Sequence, residues 1–546
     1  MFIKFFLSVI SLFLLSYSQM YSQLNPEWVQ TYNGSGNGND ESLSHITDDS
    51  GNVYAAGKIF QTASLFDIYV VKYNVPGNKI WERIYNGPGN GNDIANSIAL
   101  DLNGNIYVAG ESKGDSTGGD FILIKYDGNG NEMWNRRFDG ESSSTDAVIK
   151  VVTDNSGFPI VSGTSFNLNT LFDIVTIRYD PEGNIVWNKM YNGSSNRNEF
   201  IGDMAIDDSG NVFISGSSFV QGEGDNFLLI KYSNNGDQLW TADYNGPSGA
   251  NDNITSLTLD NNGNAVISGS SVAPGTGIDF ATLKYSGSGQ ELWLRRYSSS
   301  AISSPDEPKA IISDIHGNIF VTGASVQSNS YDYLTVKYSS SGDELWTRRY
   351  NGPSGNNFDE PRSLTTDISG NVFVAGLSQG TGTMDDMVII KYDSTGNQIW
   401  LNRYNSAVNR NDVANNISID ISGNITVSGF IAGTSSLNDF AVVRFSQLTN
   451  LFQHYNQNAT DYYLFQNYPN PFNPSTVIGF SIPSESKINL SVYNSLGKIV
   501  RTLQNGYLKP GLYSYKFNSS GLSGGIYFYT LKTDKQTITR KMLLIK

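Results

Sequence analysis

Acids recur twice in every stretch of about 53 residues, and they are the first candidates for chemistry. One set, Asp40, Asp93, Asp146, Glu199, Asp252, Asp306, Asp359 and Asp412, precedes a short β-patterned run. A second set, Asp67, Asp120, Asp173, Asp225, Asp279, Asp332, Asp386 and Asp439, opens another. Carboxylates crowded on one face suit a hard divalent cation, which takes oxygen ligands. Asp40, Asp93, Asp146, Asp252, Asp306, Asp359 and Asp412 are therefore candidate Ca2+ ligands, and no other cofactor is expected. The competing reading is that a repeated acid caps loop amides or pairs with the equally repeated Lys125-type cations. Two carboxylates about 5 to 9 Å apart would also serve glycoside hydrolysis.

Other catalytic chemistry is poorly supplied. The three histidines, His45, His316 and His454, fall in a strand, a turn and a connecting stretch. No Gly-x-Ser-x-Gly elbow comes with a partnered base. The chain has no cysteine, which removes disulfides, thiolate metal sites, a cysteine nucleophile and the acceptor for an N-terminal lipid. No catalytic residue is assigned, and the chain reads as a non-enzyme. The segments that differ most between repeats carry aromatics, among them Phe60, Phe166, Phe219 and Tyr331. Rings set among Asn, Ser and Asp suit stacking on sugars, so these four are the candidate ligand-binding residues.

The elements that position these groups follow from a period. Trp28, Trp81, Trp134, Trp187, Trp240, Trp293, Trp346 and Trp400 are spaced 53 residues apart six times and 54 once. Such self-similarity marks an array. Each unit holds four β-patterned runs: in the second, A is about 97–101, B 105–111, C 120–126 and D 132–138. Asp-Leu-Asn-Gly-Asn at 101–105 and Asp-Gly-Asn-Gly-Asn at 127–131 are hairpin turns. They lack the twelve-residue spacing and terminal Glu of a calcium loop. Four antiparallel strands per unit at this period predict an all-β, eight-bladed β-propeller over 27–445. Trp28 precedes the first A strand and no tryptophan follows the last C strand. The N-terminal strand is therefore expected to complete the final blade and close the ring, which leaves no open edge at the seam.

Within strand A, the third residue before the turn Asp is His45, Ile98, Val151, Met204, Leu257, Ile311, Leu364 and Ile417, so His45 reads as a core or seam histidine. A glycine recurs in strand B from Gly57 to Gly429, and close backbone approach is the expected reason.

Residues 1–22 carry one cation, Lys4, then an apolar run from Phe5 to Leu15, the layout of a signal peptide and too short for a span. No transmembrane span is expected in the mature chain. The net charge of −15 is uneven: residues 446–546 carry ten Lys or Arg against three Asp or Glu, leaving the body strongly acidic. Such a body repels nucleic acid and anionic lipid.

The units, for example DSGNVFISGSS and DISGNVFVAGLS, resemble the bacterial β-propeller repeat often called the seven-bladed propeller repeat. The count here is eight. The resemblance implies a propeller and exportability but no common activity. Residues 446–463 read as a polar linker, and 464–546 as a small β-sandwich of six or seven strands. That segment resembles the type IX secretion system C-terminal sorting domain through Asn467-Tyr468-Pro469-Asn470-Pro471-Phe472-Asn473-Pro474, Tyr493-Asn494-Ser495-Leu496-Gly497, Gly524-Gly525-Ile526-Tyr527 and Arg540-Lys541-Met542. The resemblance implies a bacterium of the Bacteroidota or its relatives, the type IX machinery as partner, and passage by way of the periplasm to the surface or medium. The expected function is a secreted or cell-surface binding or adhesion scaffold with a glycan or protein ligand. An extracellular polysaccharide hydrolase or lyase and a structural surface component are the alternatives.

Overall fold

Eight antiparallel sheets of four strands follow one another along the chain, and two further sheets of three and four strands come after them. This computed structural model describes residues 24–545 except 300–304, 328–329, 356, 421, 447–461, 466, 468–469, 471 and 473. The signal-peptide reading over 1–22, His454 and most of the 446–463 linker lie outside the described residues. Among the described residues no helix is long and apolar enough to cross a membrane.

Blades 1 to 7 each use four consecutive strands in the order A, B, C, D. In blade 2 these are Asp93–Leu100, Ile106–Lys113, Gly119–Tyr126 and Glu132–Phe138. Blade 8 takes A, B and C from Val413–Ile419, Ile425–Ala432 and Asn438–Phe445, and its fourth strand is Pro26–Tyr32. That N-terminal strand pairs antiparallel with Asn438–Phe445, setting Trp28 opposite Arg444 and Tyr32 opposite Phe440. Each A strand also touches the A strands of both neighbouring blades, blade 1 against blade 8 included. The ring is closed as the tryptophan count predicts.

The core lies between blades. One cluster joins Tyr54, Ile68 and Val70 of blade 1 to Ile98, Ile106 and Val108 of blade 2. At the seam, Trp28, Phe440 and Val442 pack with Val53, Tyr69 and Val71. A blade alone would leave both apolar faces in water, so burial depends on neighbours and on closure.

The repeated tryptophan has one job at Trp28, Trp81, Trp134, Trp187, Trp240, Trp293 and Trp346. Its indole N–H donates to a carbonyl in the next blade's C–D turn: Trp81 to Gly128 at 3.3 Å, Trp187 to Asn234 at 2.9 Å. The ring also covers the glycine two residues on, where a Cβ would come within 2.5 Å of Trp81 at Gly130. Trp28 does the same across the seam, donating to Val75 at 3.0 Å. The Lys125-type cations serve this end too, which corrects the expectation that they pair with the acids of the opposite face. Lys125 donates to Pro181 at 2.8 Å, Lys284 pairs with the turn Asp260 at 2.7 Å, and Arg178 with Asp154.

Strand A of every blade carries a β-bulge, for example between Ala95 and Ser97. The bulge drives the preceding carbonyl into the space beside the strand-B glycine. A Cβ on Gly110 would sit 1.8 Å from the Ile94 oxygen, and one on Gly57 2.0 Å from that of Glu41. This is the close approach expected from sequence. Gly110→Ala should therefore cost about 1–3 kcal/mol by overpacking, read as a lowered urea midpoint. Gly128→Ala, whose Cβ meets nothing nearer than 3.6 Å, should leave the midpoint almost unmoved.

Residues from Tyr463 onward form the two C-terminal sheets, whose facing residues Ile478, Phe480, Ile488, Leu490, Phe517, Tyr529 and Leu531 make one core. Seven strands in two sheets are the expected small sandwich.

Candidate functional site

The D–A and B–C connections of all blades emerge at one end of the ring, and both acid sets lie there. The acid that opens strand A clamps its own loops together. Asp93 accepts the Gly87 N–H at 2.6 Å from the D–A loop and the Lys113 N–H at 3.0 Å from the B–C loop. Asp40 accepts from Gly34 and Phe60, Asp146 from Gly140 and Phe166, Asp252 from Gly246 and Val272, and Asp412 from Ser406 and Ala432. Asp306 accepts from Ser299 and Ser325, and Asp359 from Gly352. The structure thus gives each of these seven acids loop donors within its own blade and does not bring the seven together. Burial pushes Asp40 up to about 6 and Glu199 up to about 7, against the N–H donors that pull the other way.

In three blades the second acid set is held by an arginine on strand D of its own blade. Asp120 meets Arg137 at 2.7 Å, Asp279 meets Arg296 at 3.0 Å, and Asp386 meets Arg403 at 2.8 Å. In blade 4 the register corrects the sequence assignment. Asn226 pairs with Ser218 as Asp120 pairs with Ser112, so Asn226 and not Asp225 occupies this position. An unsatisfied buried oxygen recurs there, in Asp67, Asp120, Asp173, Asn226, Asp279 and Asp386.

The aromatics form small groups at the same end. Phe166 and Phe172 face each other across the B–C hairpin with centroids 5.2 Å apart, and Phe172 lies 5.5 Å from Phe200 of the next blade. Phe166 and Phe172 are half-buried, and Phe200 is 44% exposed. Phe60 packs edge-on against Phe66 at 5.3 Å, Phe219 lies under Arg197 at 5.3 Å, and Tyr331 packs against Phe358 at 5.6 Å. All three are half-buried. Phe172 and Phe200 were not singled out from sequence. The available signal was that Phe200 stands where blades 1, 6 and 7 carry Glu41, Glu307 and Glu360.

Those three glutamates belong to a different sector. Lys58 pairs with Glu41 at 3.1 Å, Asn415 donates to Glu41 at 2.8 Å, and Arg362 donates to Asn415 at 2.7 Å. Arg362 also meets Glu360 at 3.1 Å, and Lys309 lies 3.3 Å from Glu307. One side of the loop end is thus a connected polar chain across blades 6, 7, 8 and 1, and the other an aromatic strip across blades 3 and 4. The face is not eightfold.

Comparison with known proteins agrees with this architecture. Residues 466–546 match the secretion system C-terminal sorting domain, and residues 83–116 and 345–382 match the beta-propeller repeat. No curated protein matches the chain. Among solved structures, the WD40 domain of SCAP from fission yeast has TM-score 0.42 and 9% identity, covering 78% of this chain and 98% of that one. A fungal alcohol oxidase of the AA5 family with copper has TM-score 0.39 and 11% identity, covering 96% and 100%. PorZ, a surface component of the type IX secretion system of Porphyromonas gingivalis, has TM-score 0.30 and 9% identity, covering 95% and 100%. At these scores none carries a functional implication. Over the matched segments, and with its ring closed, this chain carries beta-propeller repeats and a secretion system C-terminal sorting domain.

Proposed function

We propose that the propeller is a non-catalytic binding scaffold, secreted or held at the cell surface, that takes a carbohydrate chain on the strip formed by Phe166, Phe172 and Phe200. The observation that carries this reading is the run of three rings, 5.2 and 5.5 Å apart, across two blades with Phe200 open to solvent. Rings offer sugars a flat apolar face, and Asn167, Asn198 and Glu141 beside them supply hydrogen-bonding groups. A non-catalytic role is favoured because the acids next to the strip, Asp173 and Glu199, are buried beneath it. Phe60, Phe219 and Tyr331 are secondary contacts in this reading.

The test is a glycan array on the exported chain, followed by affinity measurements on the best ligand. Phe200→Ala and Phe166→Ala should each weaken binding about tenfold, the loss of about 1.4 kcal/mol. Met384→Ala, an exposed side chain in the B–C loop across the ring, should not. Binding that ignores all three changes would sink the strip as the site. Release of new reducing ends or unsaturated products from a bound polysaccharide would replace the scaffold reading with the hydrolase or lyase one.

A further inference from the structure

The junction between blades 2 and 3 differs from the other seven in its acids. Asp120, Asp139 and Asp146 each offer a carboxylate oxygen, and these oxygens all lie within 4.8 Å of one another. Among the described residues no other group of three acids or histidines does so. Asp120 and Asp146 belong to the repeated sets, but Asp139 does not. Its position holds Asn33, Asn86, Asn192, Asn245, Asn351 and Asn405 in six blades and Ser298 in another. Glu111, beside the group, is also peculiar to this blade, where others carry Lys58, Thr164, Ser217, Ser270, Ala324, Leu377 or Phe430.

The second observation is an unpartnered oxygen. Asp120 is 4% exposed, and its Oδ2 is taken by Arg137 at 2.7 Å and Thr117 at 3.0 Å. Its Oδ1 is buried and accepts no hydrogen bond, leaving it as the oxygen available to the cluster. An orphaned buried acceptor is costly. The same orphan recurs in five other blades without a third acid near it, so the distinguishing change is the arrival of Asp139. Ser143 donates to Asp139 Oδ2 at 3.1 Å, in the role that the paired asparagines fill elsewhere, and Asp139 itself is exposed. The nearby cations offset only part of the group's charge. Arg137 is committed to Asp120, and the Lys113 ammonium donates to the Thr117 carbonyl at 2.7 Å.

We propose that this junction binds one Ca2+ through Asp120, Asp139 and Asp146, with Glu111 as the adjoining carboxylate. All the donors are oxygen, which selects a hard cation over zinc or copper. Ligand oxygens at about 2.3–2.6 Å from a Ca2+ stand up to about 5 Å apart, in keeping with the spread of this group. The cation would bridge blade 2 to the 139–146 loop of blade 3, satisfying the Asp120 oxygen that the protein leaves open.

The test is calorimetric titration of CaCl2 into the exported chain, freed of metal with a chelator, together with melting curves. The expected result is one saturable site per chain and a raised melting temperature. Asp139→Asn changes an exposed side chain, keeps the Ser143 contact, and should weaken Ca2+ binding at least tenfold and abolish the melting shift. Asp146→Asn should do the same, and Asp412→Asn at another junction should leave binding intact. No saturable binding in the unaltered chain, or Asp139→Asn binding as tightly as the parent, would overturn the site.

Discussion

A chain lacking residues 24–32 is expected to lose the cooperative unfolding of the propeller and to aggregate. Those residues supply the fourth strand of blade 8 and put Trp28 into the cluster that joins blade 8 to blade 1. Removing them leaves strand Asn438–Phe445 as an open edge, a template for wrong pairing. It also removes Glu27 from Arg444, which is fully buried and held by Asp420 and the Gly51 carbonyl. A point change isolates the effect: Trp28→Ala should cost about 3–5 kcal/mol, read from urea unfolding. Because the seam is where the first and last strands of the propeller meet, proteolysis should then begin near residue 33. A Trp28→Ala variant as stable as the parent would show that the ring does not depend on this strand.

The second large effect is on pH dependence through His45. Both ring nitrogens meet hydroxyls of blade 8, Nδ1 with Ser428 and Nε2 with Ser418, each at 2.8 Å. Burial pushes its pKa down to about 3, so the folded protein holds it neutral while the unfolded chain protonates it near 6.5. The unfolded state therefore takes up the proton first as pH falls. The contribution of His45 is intact above about pH 6.5 and is lost toward pH 3, at a slope of up to about 1.4 kcal/mol per unit. Asp40 and Glu199, raised by burial, act in the opposite sense, so the measurement is a difference. His45→Leu, matching Leu257 and Leu364 at the same position, should flatten the acid limb relative to the parent. Equal slopes in the two proteins would refute a neutral seam histidine.

These two expectations show how far local pattern reaches. The Asp-x-x-Gly-Asn turns were legible because they are local chemistry: Asp48 Oδ1 accepts the N–H of Ser50 and of Asn52 within five residues. The strand-B glycine was legible because its constraint comes from the neighbouring strand of the same hairpin. The partner of the Lys125-type cations was not, since Lys125 reaches a carbonyl 56 residues away in another blade. Asn226 was missed because a one-residue shift in a strand start moves a side chain to the other face, and only the pairing with Ser218 reveals it.

What the sequence by itself determined is the architecture and the presence of the C-terminal sorting domain. A 53-residue period, eight tryptophans and a displaced first strand admit only a closed eight-membered array, and the C-terminal motifs carry the sorting domain. What the tertiary structure alone decided is which repeats differ in a way that matters. Phe166, Phe172 and Phe200 come from two blades, and Asp120, Asp139 and Asp146 from another pair. Within one unit each is an ordinary substitution. They meet because the ring lays the B–C loop of one blade against the D–A loop of the next, a contact that no periodicity along the chain encodes.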